Sequence, residues 1–243
     1  MFPKQGSALC RAQPDPGHRS CLPYGSPPPQ VLTPQADGLK IFTADTAAID
    51  ISHTQEGYIM AKYTGFNAKP KLQLTGTDGI TYTYSLYKDY STFPLTSGDG
   101  TYQVGVYENV SDDRYTTLLS ETFSVTLTDP LKPYLYPNQY VNFTADFLPV
   151  AKAEELADGA SSDLDIISSV YNYIITHFTY DYSKASSVTS GYLPDIDEVF
   201  TSEKGICFDY AAVMTFLMIA VILVLMQKSY LFFPKFMPNS EAS

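Results

Sequence analysis

The chain has no tryptophan and little charge: 17% of its 243 residues are charged and 44% are hydrophobic. That much apolar content excludes a disordered polypeptide and allows one or two domains with real cores. Basic residues are the scarcer sign, 15 against 26 acidic, for a net charge of -11. No Lys/Arg cluster occurs, so the phosphate-neutralising surface that nucleic acid requires is missing. Cysteine is limited to Cys10, Cys21 and Cys207. No CxxC or Cys/His ligand spacing exists, which excludes a zinc site, and neither metal nor cofactor is implied. The three histidines are His18, His53 and His177, and all precede Cys207. The N-terminus shows no apolar h-region of a secretory signal.

The texture of the chain divides it. Residues 1–38 are rich in Pro, Gly, Gln and Ser, including Pro27-Pro28-Pro29, and read as a disordered tail. Cys10 and Cys21 fall inside it. From residue 39 to 129 short segments alternate apolar and polar positions. Leu72 and Leu74 share a face, as do Tyr102, Val104 and Val106, and again Phe123, Val125 and Leu127. Gly57 to Tyr63 and Ile80 to Leu86 are further segments of this kind. A period of two with β-branched and aromatic residues predicts half-buried strands. Thr77-Asp78-Gly79, Ser97-Gly98-Asp99-Gly100 and Ser111-Asp112-Asp113 supply turns between them. Short strands at this spacing predict an antiparallel, Ig-like β-sandwich, although the Ig disulfide and tryptophan are absent. Tyr-, Thr- and Ser-rich sandwiches with sparse charge suit an extracellular or cell-surface location.

Residues 130–160 carry several prolines without clear periodicity and read as a linker, with a short helix over Val150 to Asp158. Beyond residue 161, Leu164, Ile167, Val170, Tyr171, Ile174, Ile175 and Phe178 recur at three- and four-residue steps. They predict one buried stripe of an amphipathic helix. Ser162 with Asp165 sits in a capping-box position. The helix ends near Thr179-Tyr180-Asp181-Tyr182, and a Ser/Gly-rich loop runs to Gly191. A short helical turn around Asp197-Glu198-Val199-Phe200 then leads to Lys204-Gly205-Ile206-Cys207-Phe208-Asp209-Tyr210-Ala211. Cys207 would begin a helix, where free N–H groups and the dipole favour a thiolate. Gly205 permits a tight entry, and Asp209 is placed to satisfy first-turn N–H groups.

This ordered set resembles the N-terminal half of bacterial transglutaminase-like domains, of the papain-like cysteine superfamily, over roughly Ser161 to Thr215. The resemblance implies a catalytic Cys207 that attacks an acyl carbon in a protein or cell-wall peptide amide, and a thioester that passes to an amine or water. The Cys207 N–H would be one oxyanion donor. It also implies a histidine and an aspartate on later strands, but no His follows Cys207 and no Asp follows Asp209. The expectation is an α+β chain: an Ig-like sandwich, then a partial transglutaminase-like domain over residues 161–243, truncated and inactive by itself.

After Thr215 the run from Phe216 to Met226 is apolar all round. It reads as the product of a frameshifted gene end, as a membrane span through residues 211–233 with Lys228 and Lys235 cytoplasmic, or as a core helix. The span would make the chain a non-catalytic, membrane-held surface protein that binds a partner or acts as a spacer.

Overall fold

The computed structural model describes residues 29–232, with side chains as far as Gln227. Residues 1–28, with Cys10, Cys21 and His18, and residues 233–243, with Lys235, lie outside the described residues.

Eight strands form two four-stranded antiparallel sheets. One contains β1 (Ile41–Ala44), β2 (Ala47–Asp50), β3 (Tyr58–Tyr63) and β6 (Ser91–Pro94), in the order β1-β2-β3-β6. The other contains β4 (Lys71–Thr75), β5 (Thr81–Ser85), β7 (Gly100–Ser111) and β8 (Arg114–Val125), in the order β5-β4-β7-β8. The inward residues of both sheets meet in one core. Ile49, Ile59, Ala61 and Phe93 come from the first sheet, and Leu72, Leu74, Tyr102, Val104 and Val106 from the second. Alternation on β4 and β7 has its expected physical result: one side of each pleat is dry. The Ser111-Asp112-Asp113 turn joins two strands of 12 residues each, with Asp112 in the left-handed region at φ 50°.

Two segments read from composition as tail and linker are packed. Val31 is buried in the helical core. Gln35 N–H donates to Tyr58 Oη at 3.0 Å, and Gly38 N–H to Asp50 Oδ2 at 2.6 Å. Residues 29–38 therefore strap the outer face of the first sheet, where Tyr58, Met60 and Tyr136 form a small cluster with Leu32 and Ala36. Leu135, Val141 and Phe143 of the linker are buried with the helices. Prolines hid this, because they suppress periodicity without preventing burial.

The second core is helical. It holds α1 (Val150–Ala157), α2 (Asp163–His177), α4 (Ile196–Ser202) and α5 (Cys207–Phe232), while α3 (Tyr182–Ser187) lies in the stretch read as loop. Side-chain caps start three of these helices. Ser162 accepts from Asp165 N–H, Asp181 from Lys184 N–H and Asp195 from Glu198 N–H. Between the helices, β9 (Thr179–Tyr180) pairs in parallel with β10 (Lys204–Gly205). The residues read as the end of α2 are thus a strand, terminated from the helix by Phe178 in an extended conformation.

The single buried stripe expected on α2 is corrected. Val170, Tyr173, Ile174 and Phe178 are buried, but Leu164, at 69% exposure, Ile167, Tyr171 and Ile175 are exposed. The stripe is wider than the face that α1 and α5 cover. Helix α5 lies at the centre of the helical core, with Val213, Phe216, Leu217, Ala220, Val221 and Val224 fully buried. Cys207–Gln227 is long and apolar enough to cross a membrane, and 56% of its most apolar window is buried. Replacing Phe216 by Ala should cost about 3–5 kcal/mol in urea denaturation, whereas Ile175→Ser should stay within about 0.5 kcal/mol. Equal losses at both positions would contradict the division of the α2 stripe.

Candidate active site

Cys207 is the first residue of α5, and it is exposed. The helix begins with Tyr210 N–H donating to Ile206 C=O at 3.0 Å. The N–H groups of Cys207, Phe208 and Asp209 therefore precede the first intrahelical bond and carry the partial positive charge of a helix N-terminus. Ile206 N–H is satisfied differently. The Asp209 carboxylate reaches back and accepts from it at 2.9 Å. This is the return half of a capping box.

Asp209 is fully buried, at 0% exposure. A buried carboxylate is tolerated only when its lone pairs are filled and its charge is balanced. Tyr192 Oη donates to Oδ1 at 2.6 Å, and Lys184 Nζ to Oδ2 at 3.3 Å. Lys184 also donates to Tyr192 Oη at 3.1 Å, closing a triangle. Burial alone would lower Lys184, but Tyr192 and the Asp209 charge outweigh it and hold the ammonium above its ordinary value. Burial, then the bond to Asp209, raises the Tyr192 phenol.

Gly205 has a steric reason to be glycine. A Cβ there would lie 2.6 Å from the Asp209 Cβ. Its backbone is pinned as well: Asp181 N–H donates to Gly205 C=O at 2.8 Å, and Thr179 N–H to Glu203 C=O at 2.9 Å. Glu203 turns the chain out of α4 in the left-handed region, φ 51°. Thus β9, α3 and the segment before Leu193 all converge on the start of α5.

The two described histidines, His53 and His177, lie elsewhere in this arrangement. His177 ends α2, its Nδ1 2.9 Å from the Tyr173 carbonyl and its ring 4.5 Å from the Tyr173 ring. His53 Nε2 pairs with Asp37 Oδ2 at 2.8 Å on the sandwich and stacks on Tyr58. No hydrogen bond or ring contact joins either one to Cys207 among the described residues. Nor do three or more His, Cys, Asp or Glu side chains converge as a metal cluster among them.

Sequence reasoning placed Cys207, Gly205 and Asp209 together but missed Lys184 and Tyr192. Lys184 sits where Ser and Gly suggested loop, and Tyr192 directly follows that stretch. The available signal was Asp181, an N-cap residue three positions before Lys184.

A helical layer with an exposed thiol at a helix N-terminus, braced by a buried carboxylate, is the class of site defined here. The model of the transglutaminase-like superfamily core matches residues 150–221, just under a third of the chain. The match runs from the first residue of α1 into α5 and includes all five residues named above, so this stretch is similar to the transglutaminase-like superfamily core. No curated protein and no solved structure matches the chain.

Removing the carboxylate strands the Lys184 charge and the Ile206 N–H. Asp209→Ala should cost about 3–5 kcal/mol, and Gly205→Ala about 1–3 kcal/mol by overpacking. Denaturation midpoints would test both, and a neutral Gly205→Ala would refute the close approach.

Lys184 and Tyr192 both stand above their ordinary values of 10.5 and 10.0. Their contribution is complete below those values and is lost as pH rises through the raised ones. The double variant Lys184→Met, Tyr192→Phe should lose less stability than the parent between about pH 9 and pH 12. Parallel losses in the two proteins would contradict the triangle's role.

Proposed function

We propose that Cys207 is the nucleophile of a transglutaminase-like acyl-transfer centre acting on protein or peptide carboxamides. The observation that carries this reading is the exposed thiol at the start of α5, inside the matched region, where Asp209 holds the N–H of the preceding Ile206. The thiolate would add to the amide carbon, the C–N bond would break, and the nitrogen would leave with a proton as ammonia or an amine. The thioester formed would pass its acyl group to an amine or to water. The helix N-terminus supplies N–H donors for the oxyanion.

Proton transfer is the weak part of the centre. Among the described residues, His53 and His177 are engaged elsewhere. Neither is placed to take the thiol proton, so an added base is expected to speed turnover.

The sandwich fits an Ig-like spacer or binding module. Without β1, its order is β2-β3-β6 against β5-β4-β7-β8. Three strands facing four in this order support the Ig-like reading. A location outside the cell goes with this reading and rests on the sparse charge and many tyrosines.

Chemical rescue tests the proposal. A glutamine-containing peptide with hydroxylamine as acceptor should give little hydroxamate with the protein alone. Added imidazole should raise the yield, and Cys207→Ser should abolish the gain. Hydroxamate formation that is the same in Cys207→Ser, or absent with and without imidazole, would refute the nucleophile.

A further inference from the structure

A groove of about 650 Å³ lies between the first sheet, the 29–38 strap and the segment joining sandwich to helices. Its size falls within the roughly 300–1,000 Å³ of small-ligand sites. None of the residues lining it carries a formal charge. At one end a smaller depression shares Asn142 and Thr144 and adds the carboxylates of Asp195 and Asp197.

The polar residues of the groove have hydrogen-bonding capacity to spare. The side chains of Ser91, Thr92, Asn142 and Thr144 make no hydrogen bond to any described residue. On β6, Phe93 points into the sandwich core, so the pleat turns Thr92 to the opposite side, paired with Met60. Thr92 is only 7% exposed as a residue, and it lines the groove. Tyr87, 44% exposed, and Tyr90 add ring faces to the same groove. One face of Tyr90 is covered by Lys62 Nζ, 4.6 Å from the ring centre.

We propose that this groove is a binding site for a neutral oligosaccharide. Hydroxyl and carboxamide side chains both donate and accept, as sugar hydroxyls do. Tyrosine offers a flat apolar face beside a hydroxyl, which matches the C–H face and hydroxyl rim of a pyranose. The absence of lining charge disfavours a phosphate or other strongly ionic ligand. An extended peptide pairing with β6 as an edge strand would find only four residues, ending in Pro94.

Titration of the full chain with cellotetraose and with tetra-N-acetylchitotetraose, followed by calorimetry, tests the site. Saturable binding of at least one glycan is expected. Tyr87→Ala and Asn142→Ala should each weaken it by about tenfold, while Tyr87→Phe retains most of it. Both positions are exposed, and circular dichroism checks that the variants fold. Cys207→Ser should bind like the parent, so this result stands apart from the thiol chemistry. No saturable binding of either glycan overturns the proposal. So does binding unmoved by Tyr87→Ala and Asn142→Ala, or tighter binding of a neutral Ser/Asn tetrapeptide.

Discussion

One buried carboxylate fixes the geometry of the helical layer's working end. Asp209 takes donors from three separate places: the Ile206 backbone, Lys184 on α3 and Tyr192 before α4. Each alone is a modest interaction, but a carboxylate out of water cannot leave any of them unmade without large cost. Satisfying it therefore locks three segments and the first turn of α5 together. Cys207 lies two residues before Asp209 and makes no side-chain bond to a described residue. The start of α5 is therefore rigid, while the thiol it carries has no side-chain partner among the described residues.

The sandwich is tied to this end through aromatic rings. Phe93 meets Tyr84 edge-on at 5.0 Å, Tyr84 meets Tyr140 at 5.6 Å, and Tyr140 meets Phe208 at 5.8 Å. Phe208 in turn contacts Tyr192 at 6.4 Å. The chain of rings runs from the β core to the residue beside Cys207. Burial raises Tyr84 to the far alkaline side, so it stays neutral at ordinary pH and behaves as core. The strap and linker, which looked like spacers by composition, fill the junction with Val31, Tyr136 and Phe143. The two layers consequently share packing, and the groove at their junction has walls from both sides.

How far the sequence disclosed this depended on the kind of signal. Local chemistry read well. Ser162 caps α2 as expected, and Asp209 reaches back within the first turn as its position implied. The Asp165 carboxylate reaches back as its capping-box position implied, accepting from Ser161 N–H and Oγ and interacting with Ser162 as well. Strands with clean alternation were legible, but β1, β2 and β6 were not. Ala47-Ala48-Ile49-Asp50 has weak β propensity, and β6 is four residues ending in proline. Lys184 and Tyr192 were invisible because their partner is nonlocal, 25 and 17 residues away. No periodicity encodes such a contact.

The α2 and α5 faces show why an apolar pattern underdetermines burial. Hydrophobic spacing says which positions could face a core, not how many neighbours the fold provides to cover them. On α2, Val170 and Ile174 meet neighbours while Leu164 and Ile175 do not. On α5, Phe216 and Val221 are fully buried, whereas Ile222, Leu225 and Met226 remain partly in solvent. The same composition that permits a membrane span therefore also serves a core helix. Packing on three sides against α1, α2 and α4, with the N-terminal turn anchored by Asp209, accounts for the buried part of α5 without a bilayer. The helix start that presents Cys207 is thus held by the core behind it as much as by the polar triangle beside it.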